Sequence, residues 1–248
     1  MYKEHPVFNP PPSDAVLWRY MDFTKFVSLL EKQALFFSTP DNLGDPFEGS
    51  ITERDVEYRD RWIASVPGIT GTIIRSDYPR VIKSIRLQTF INCWHISNYE
   101  SEAMWKLYSN TGSGIAVKTN FNSFKLSFVC KEDVHIGVVK YIDHDKHNIP
   151  VEIEKFKERF LFKRKSFEYE NEMRAMVLGL PDESPSRLNA YSTGKYFEVD
   201  LAKLIKEVIV YPFAPEWFLQ LVDAVTRRYK DRATFHIRKS DLDKEPIF

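Results

Sequence analysis

The sequence has too little cysteine for a covalent framework: Cys93 and Cys130 stand 37 residues apart, with no CxxC pair and no Cys/His ligand spacing. Neither a structural zinc nor a disulfide scaffold is expected, and two reduced thiols suit a cytoplasmic protein. An excess of charge is lacking too. Lys plus Arg (35) balances Asp plus Glu (35), so no whole-chain field draws the protein to nucleic acid or to an anionic membrane. No run approaches 18 apolar residues and the opening MYKEHPVFNPPP has no apolar core, so membrane spanning and secretion are not expected. A Walker A loop, GxGxxG, HExxH, GxSxG and an EF-hand loop are all missing, which removes the commonest NTPase, dinucleotide-oxidoreductase, zincin, hydrolase and calcium-site readings. Internal repeats and low-complexity linkers are also missing.

What is present is apolar and aromatic. Hydrophobic residues make up 43% of the 248, and 15% are aromatic. A chain of 29.2 kDa buries roughly 70% of its unfolded surface, enough for one large core. Residues 1–15 hold four prolines and read as an extended arm; residues 16–248 then read as a single α+β domain. Strands are expected near 17–20, 35–38, 90–95, 115–119, 134–141, 169–177, 196–199, 207–210 and 234–237, where β-branched and aromatic residues lie between turn signals. Helices are expected after Asp22 as N-cap, over 51–66 and 79–88, after a Ser97–Glu100 capping box, over 150–165, and from Pro215 at N1. The basic residues Arg227, Arg228, Lys230 and Arg232 complement the C-terminal dipole of that last helix.

The strongest local signal is Glu168-Tyr169-Glu170-Asn171-Glu172-Met173-Arg174. On a strand, Glu168, Glu170 and Glu172 share one face. They are then either a solvated, lysine-paired surface or a carboxylate cluster that stabilises developing positive charge, as at a glycosyl-transfer centre. If the three share a face, their mutual repulsion makes Glu172→Gln neutral or stabilising for the fold in either case. Arg19, between Trp18 and Tyr20, can grip a phosphate in bidentate fashion, and Trp94-His95 offers a stacking surface with a polar handle. Asp45-Pro46-Phe47-Glu48-Gly49 places two carboxylates on a loop.

In order, Leu17-Trp18-Arg19-Tyr20-Met21, Leu35-Phe36-Phe37-Ser38, Asp45-Pro46-Phe47-Glu48-Gly49, Cys93-Trp94-His95, the stretch from Glu102 to Tyr108, Gly114 to Thr119 and Phe167 to Arg174 resemble the bacterial domain-of-unknown-function family 2971. That family implies no activity. A more remote resemblance is to ADP-ribosyltransferases, carried by Arg19 on an early strand and Glu170-Asn171-Glu172 as an ExE on a late one. It implies a split, mostly antiparallel β-sheet core flanked by helices and, in function, an NAD-cleaving transferase of toxin or defence type. Glu172 and Glu170 would be catalytic, Arg19, Tyr20, Ser38, Trp94 and His95 would bind NAD, and no metal would be needed. The Ser-Thr-Ser pattern of a middle strand is missing, with only Ser38-Thr39 near it. The acceptor would be a protein or nucleic-acid group. The competing readings are a non-catalytic nucleotide- or peptide-recognition module and a metal-dependent nuclease using Asp45, Glu48 and Glu172.

Overall fold

The computed structural model describes residues 1–109, 112–152, 155–178, 193–229, 231 and 233–247. In chain order these form β1 (Val16–Asp22), α1 (Phe23–Lys32), β2 (Ala34–Ser38), α2 (Val56–Ser65), α3 (Gly68–Leu87), β3 (Thr89–Ile96), α4 (Glu102–Tyr108), β4 (Gly114–Asn120), α5 (Phe121–Ser127), β5 (Val134–Val138) and β6 (Lys140–Ile142). They continue as α6 (Phe156–Arg159), β7 (Phe162–Arg164), β8 (Glu172–Leu178), β9 (Gly194–Glu198), α7 (Leu201–Leu204), β10 (Glu207–Val210), α8 (Glu216–Arg227) and β11 (His236–Lys239). The fold is a mixed α/β one: a mostly antiparallel sheet with helices on its faces. No helix among the described residues is long and apolar enough to cross a membrane.

The sheet divides at β3. One edge of β3 pairs with β8 from Thr89↔Leu178 to His95↔Glu172. Its other edge is shared: β1 pairs at its end, Trp18↔His95, and β2 nearer its start, Ser38↔Ile91. Both are antiparallel to β3, so β1 and β2 run the same way, with α1 as the crossover between them. They splay apart along β3 because β1 continues into β4, β10 and β11, whereas β2 continues into β9. Backbone groups of β3 that face the split lose their ladder partners, and buried backbone polar groups have to be satisfied some other way. Side chains do this. Arg19 Nη1 donates to the Cys93 carbonyl at 2.8 Å, and Asn92 Nδ2 donates to the Phe36 carbonyl at 2.8 Å while its Oδ1 accepts from Trp94 Nε1 at 2.7 Å.

Period-two alternation decides what covers each face. Leu17, Met21, Trp94, Ile115, Val117, Met173 and Val208 point to one side, against Phe26, Leu29 and Leu30 of α1, Phe121 and Phe124 of α5, and Phe218 and Val222 of α8. On the other side Trp18, Tyr20, Ala116 and Ile209 meet Met104 and Trp105 of α4. Further along that side Ile91 and Met176 meet Phe156, Phe160, Ile82 and Ile85. The register places Cys93, His95, Glu172 and Arg174 between these two apolar patches. The N-terminal arm lies along β5: Lys3 N donates to the Val134 carbonyl at 2.9 Å, Val138 N to the Asn9 carbonyl at 2.9 Å, and Phe8 is buried.

Several expectations are corrected. Residues 165–170 are a 3₁₀ helix, and β8 begins only at Glu172 because Asn171 sits in the left-handed region at φ 38°. Glu168, Glu170 and Glu172 therefore share no strand face. The expected 150–165 helix is reduced to α6, after which β7 pairs parallel with β6, the strand into which 134–141 divides at Val139. The α4 cap is Ser101, accepting from Met104 N at 3.3 Å; Ser97 closes a turn onto Tyr99 N, and the Glu100 carboxylate is drawn away by Arg238 at 3.2 Å. Pro215 is the N-cap of α8, one residue before the expected N1. α3 covers 68–87 in one piece with a kink at Asp77 before Pro79, and of the basic run Arg227 pairs with Asp223, while Lys230 and Arg232 lie outside the described residues. Asp22 caps α1 as expected, accepting from Lys25 N at 2.8 Å.

Asn92 carries the strain of the split most directly. Asn92→Ala removes two buried hydrogen bonds and leaves the Trp94 indole N–H without its acceptor, so stability falls by about 2–4 kcal/mol, at about 1–3 kcal/mol per unsatisfied buried group. Urea unfolding of the two proteins reads this difference; a loss below about 0.5 kcal/mol would show that other groups hold the split.

Candidate functional site

A cavity of about 520 Å³ lies at the split and is lined by residues from both faces of the sheet. Among the residues lining it are Arg19, Tyr20, Ser38, Trp94, His95, Glu170 and Glu172, so all seven residues singled out by sequence lie on one cavity. They stand in unequal positions. His95, Glu170 and Glu172 are on the α4 side, whereas Arg19 and Trp94 belong by alternation to the α1 side and reach the cavity through the split.

The chemical centre is a ladder of charge. Arg174, fully buried, is held in bidentate fashion by Glu48, Nη1 to Oε2 at 2.6 Å and Nη2 to Oε1 at 2.7 Å, and also donates from Nη1 to the Phe160 carbonyl at 2.7 Å. Its Nε donates to Glu172 Oε2 at 2.9 Å. The other Glu172 oxygen accepts from Lys163 Nζ at 3.2 Å, and Lys163 also donates to Glu170 Oε2 at 2.5 Å. Glu172 is fixed through its backbone as well, its N–H donating to the Tyr141 hydroxyl at 2.8 Å. The loop that delivers Glu48 ends at Gly49, where φ is 70° and a Cβ would run into the Phe160 ring. Asp45 anchors the same loop to Arg164, Oδ1 to Nη2 at 2.8 Å.

The two glutamates of the ExE are driven apart. Burial would raise the Glu172 carboxyl, but Arg174 and Lys163 outweigh it and hold it well below the usual carboxylate range, at about 2. Burial, together with the hydrogen bond and charge of Glu172, pushes Glu170 up to about 7 despite Lys163. The cations thus favour the charged form of Glu172, and the proton the pair holds is favoured on Glu170, the kind of separation by which acid and base roles are assigned within a pair. His95 donates from Nδ1 to the Glu170 carbonyl oxygen at 2.6 Å, which fixes the tautomer, and burial lowers its proton affinity, so the ring is neutral with Nε2 as an acceptor. Burial, then Glu172, pushes the Cys93 thiol up to about 12, so it is no nucleophile.

Arg19 differs from the other cations. Its guanidinium is 6.0 Å from the Trp94 ring centroid and donates to the Cys93 carbonyl, and among the described residues no carboxylate lies within ion-pair reach. Burial lowers its proton affinity, as for any desolvated cation. Tyr20 and Trp94 are walls with their polar atoms engaged: the Tyr20 hydroxyl accepts from Ser101 N at 2.9 Å and its ring meets Trp105 edge-on at 4.9 Å, while Trp94 packs on Phe124 at 5.0 Å. Ser38 lies at the far end of β2, its hydroxyl on the Thr193 carbonyl at 3.3 Å.

Sequence reasoning missed the roles of Lys163, Arg174 and Tyr108. Tyr108 also lines the cavity, its phenol pushed up by burial and by Glu170. Lys163 falls within the expected 150–165 helix and suits an exposed, lysine-paired face; the alternation of β7 instead turns it inward while Phe162 and Arg164 turn away. The metal-nuclease grouping is not assembled: Asp45 is taken by Arg164, Glu48 by Arg174, and Glu172 by Arg174 and Lys163. Among the described residues no cluster of His, Cys, Asp and Glu is arranged to hold a metal ion.

Residues 104–175 match the model of the family described as Protein of unknown function (DUF2971). The match takes in Tyr108, Lys163, Glu170, Glu172 and Arg174 but neither Arg19 nor Glu48. No curated protein matches the chain. Among solved structures, Thermus sp. 2.9 DarT in complex with NAD+ is 8% identical at a TM-score of 0.42, covering 96% of this chain and 100% of that one. The same protein in complex with ADP-ribosylated ssDNA is 12% identical at a TM-score of 0.40, covering 93% and 97%. Similarity at this level establishes no shared activity, and the chemistry of the cavity has to stand on its own residues.

The ladder reverses the expectation that Glu172→Gln is harmless. Removing this charge leaves buried Arg174 with Glu48 alone, and breaking a buried pair from one side costs about 3 kcal/mol at the low end; urea unfolding near neutral pH reads it, and an unchanged or raised stability would contradict the ladder. Glu172, with a folded value below 4.5, contributes stability that is present above pH about 4.5 and lost as pH falls toward about 2. Glu170 acts in the opposite sense: its contribution is present below pH about 4.5 and lost as pH rises through about 7. Glu170→Gln accordingly flattens the decline in melting temperature between those two values; a variant whose melting temperature declines as steeply as the parent's would show that Glu170 is not raised.

Proposed function

We propose that the protein is an NAD-dependent ADP-ribosyltransferase-like enzyme that cleaves the bond between nicotinamide and ribose. The observation that carries this reading is Glu172, held on one oxygen by Arg174 and on the other by Lys163, beside Glu170 on a cavity that also presents Arg19 with no carboxylate partner among the described residues. The fit to NAD rests on three properties. The volume falls within the roughly 300–1,000 Å³ of small-molecule sites. The Arg19 fork suits a pyrophosphate oxygen pair. A buried carboxylate suits a reaction whose transition state gathers positive charge at the ribose carbon.

In this reading Glu172, fixed on both oxygens, faces that carbon without having to reorganise. Arg19 binds the pyrophosphate and so holds the nucleotide in the split. Tyr20 and Trp94 form rigid apolar walls that exclude water, and Ser38 lies toward the adenosine end. Neutral His95 offers Nε2 as an acceptor for a ribose hydroxyl. Glu170, ionised above pH about 7, takes the proton of the acceptor as it attacks. The acceptor is a protein or nucleic-acid group, and the two free thiols suit a cytoplasmic setting.

The test is nicotinamide release from NAD by the purified protein, offered protein and nucleic-acid acceptors in turn. Glu172→Gln lowers the rate by about 10²–10³-fold, the usual cost of one preorganised electrostatic group. The parent's rate rises with pH through about 7 as Glu170 loses its proton, and that rise is missing in Glu170→Gln. Saturable NAD binding without nicotinamide release under any acceptor would make this a recognition module instead.

A further inference from the structure

Lys163 occupies an unusual place. It is 5% exposed and comes from β7, a three-residue strand outside the main sheet, yet its ammonium touches the outer oxygens of both glutamates of the ExE. Glu170 and Glu172 themselves belong to different elements, the end of a 3₁₀ helix and the start of β8, with Asn171 turning the chain between them. Nothing in the backbone obliges the two carboxyls to face one another. The two carboxyls share a hydrogen bond, and the lysine adds a bridge across both, since three donors on a compact charge can serve two carboxylates at once.

We propose, on the basis of the transferase reading above, that Lys163 is a positioning residue: by bridging both carboxylates it sets their separation and makes Glu170 the base that receives the acceptor's proton. Arg174 already claims the inner oxygen of Glu172, so the lysine's freedom lies toward Glu170. In the step concerned, the acceptor's lone pair forms the new bond to the ribose carbon while the old carbon–nitrogen bond breaks, its electron pair leaving with neutral nicotinamide. The acceptor's proton passes to Glu170 and then to water. Lys163 keeps its protons throughout and acts only through the carboxylates it holds. Its neighbour Phe167, whose ring centroid lies 4.9 Å from Nζ, screens it from solvent.

Other charged and titratable groups face the same pair: Arg174 and Glu48 from the inner side, Tyr141 from β6, Cys93 and His95 from β3 and Tyr108 from α4, while Arg19 lines the same cavity from the opposite face of the sheet. Only Lys163 hydrogen-bonds both glutamate side chains among the described residues, so a change there moves the balance between them without removing either.

The experiment has two independent readouts. Carbon-13 labelled glutamate is titrated by NMR without NAD, and nicotinamide release is measured against pH, for the parent, Lys163→Arg and Lys163→Met. The expected result is that Lys163→Met moves the Glu170 midpoint upward by at least one pH unit and carries the rising limb of the rate profile with it, whereas Lys163→Arg keeps both near the parent's values. An unmoved midpoint in Lys163→Met together with a lower melting temperature would make Lys163 a structural residue only and overturn the proposal. If Lys163→Met does not fold, the charge-balanced double variant K163M/E170Q decides. A rate within about threefold of E170Q alone supports action through Glu170, and a further tenfold loss overturns it. A parent that titrates and shifts as expected but releases no nicotinamide would instead defeat the transferase reading and leave the positioning of the two carboxyls intact.

Discussion

The fold depends on how five buried charges share one another. Glu48, Arg174, Glu172, Lys163 and Glu170 form a continuous chain of contacts in the strip between two apolar patches, where isolated ions would each cost several kcal/mol of desolvation. Each cation touches at least two carboxylates, and the ends of the chain lie on the loop that carries Glu48 and on the 3₁₀ helix that ends at Glu170. Arg174 therefore fastens the Asp45–Gly49 loop and the Phe160 carbonyl to the sheet, and Lys163 fastens β7. The same contacts that close this side of the molecule also set the ionisation of Glu170 and Glu172. Stability and chemistry are drawn from one set of hydrogen bonds.

The split in the sheet is the second constraint, and it explains the remaining polarity. Had a single strand run the full length of the edge that β1 and β2 share, β3 would have a complete ladder on both edges. The divergence of β1 and β2 exposes the Cys93 carbonyl, which Arg19 satisfies, and the cation is held where no carboxylate among the described residues neutralises it. The anion-seeking group and the charge-stabilising group thus arise from opposite faces, brought to one cavity by the gap between two strands.

Much of this was legible in the sequence. The strands and the Asp22 cap follow from local patterning, because strand alternation and capping are short-range rules, and the ExE marks out Glu170 and Glu172 even though the alternation that joined them to Glu168 fails. What was missed depends on long-range partners. Glu168 reads as a companion of Glu170 and Glu172 only if the strand starts early; Asn171 in a left-handed conformation starts it late and leaves Glu168 exposed. Lys163 sits in an apolar pattern that suits a helix as well as a strand, and only the pairing of β7 with β6 decides for the strand. The Glu48–Arg174 pair spans 126 residues, beyond any motif, although the glycine after Glu48 marks a place where another backbone or ring comes close.

The central claim is that NAD lies in the split with its pyrophosphate on Arg19 and its ribose beside Glu172. The most direct measurement is a crystal structure of Glu172→Gln soaked with NAD, in which slowed turnover preserves the intact nucleotide. The account predicts pyrophosphate oxygens within hydrogen-bond distance of the Arg19 guanidinium and the nicotinamide ribose against residue 172. NAD found elsewhere on the protein, or an unfilled cavity at saturating NAD in a variant that keeps the parent's fold, would contradict it.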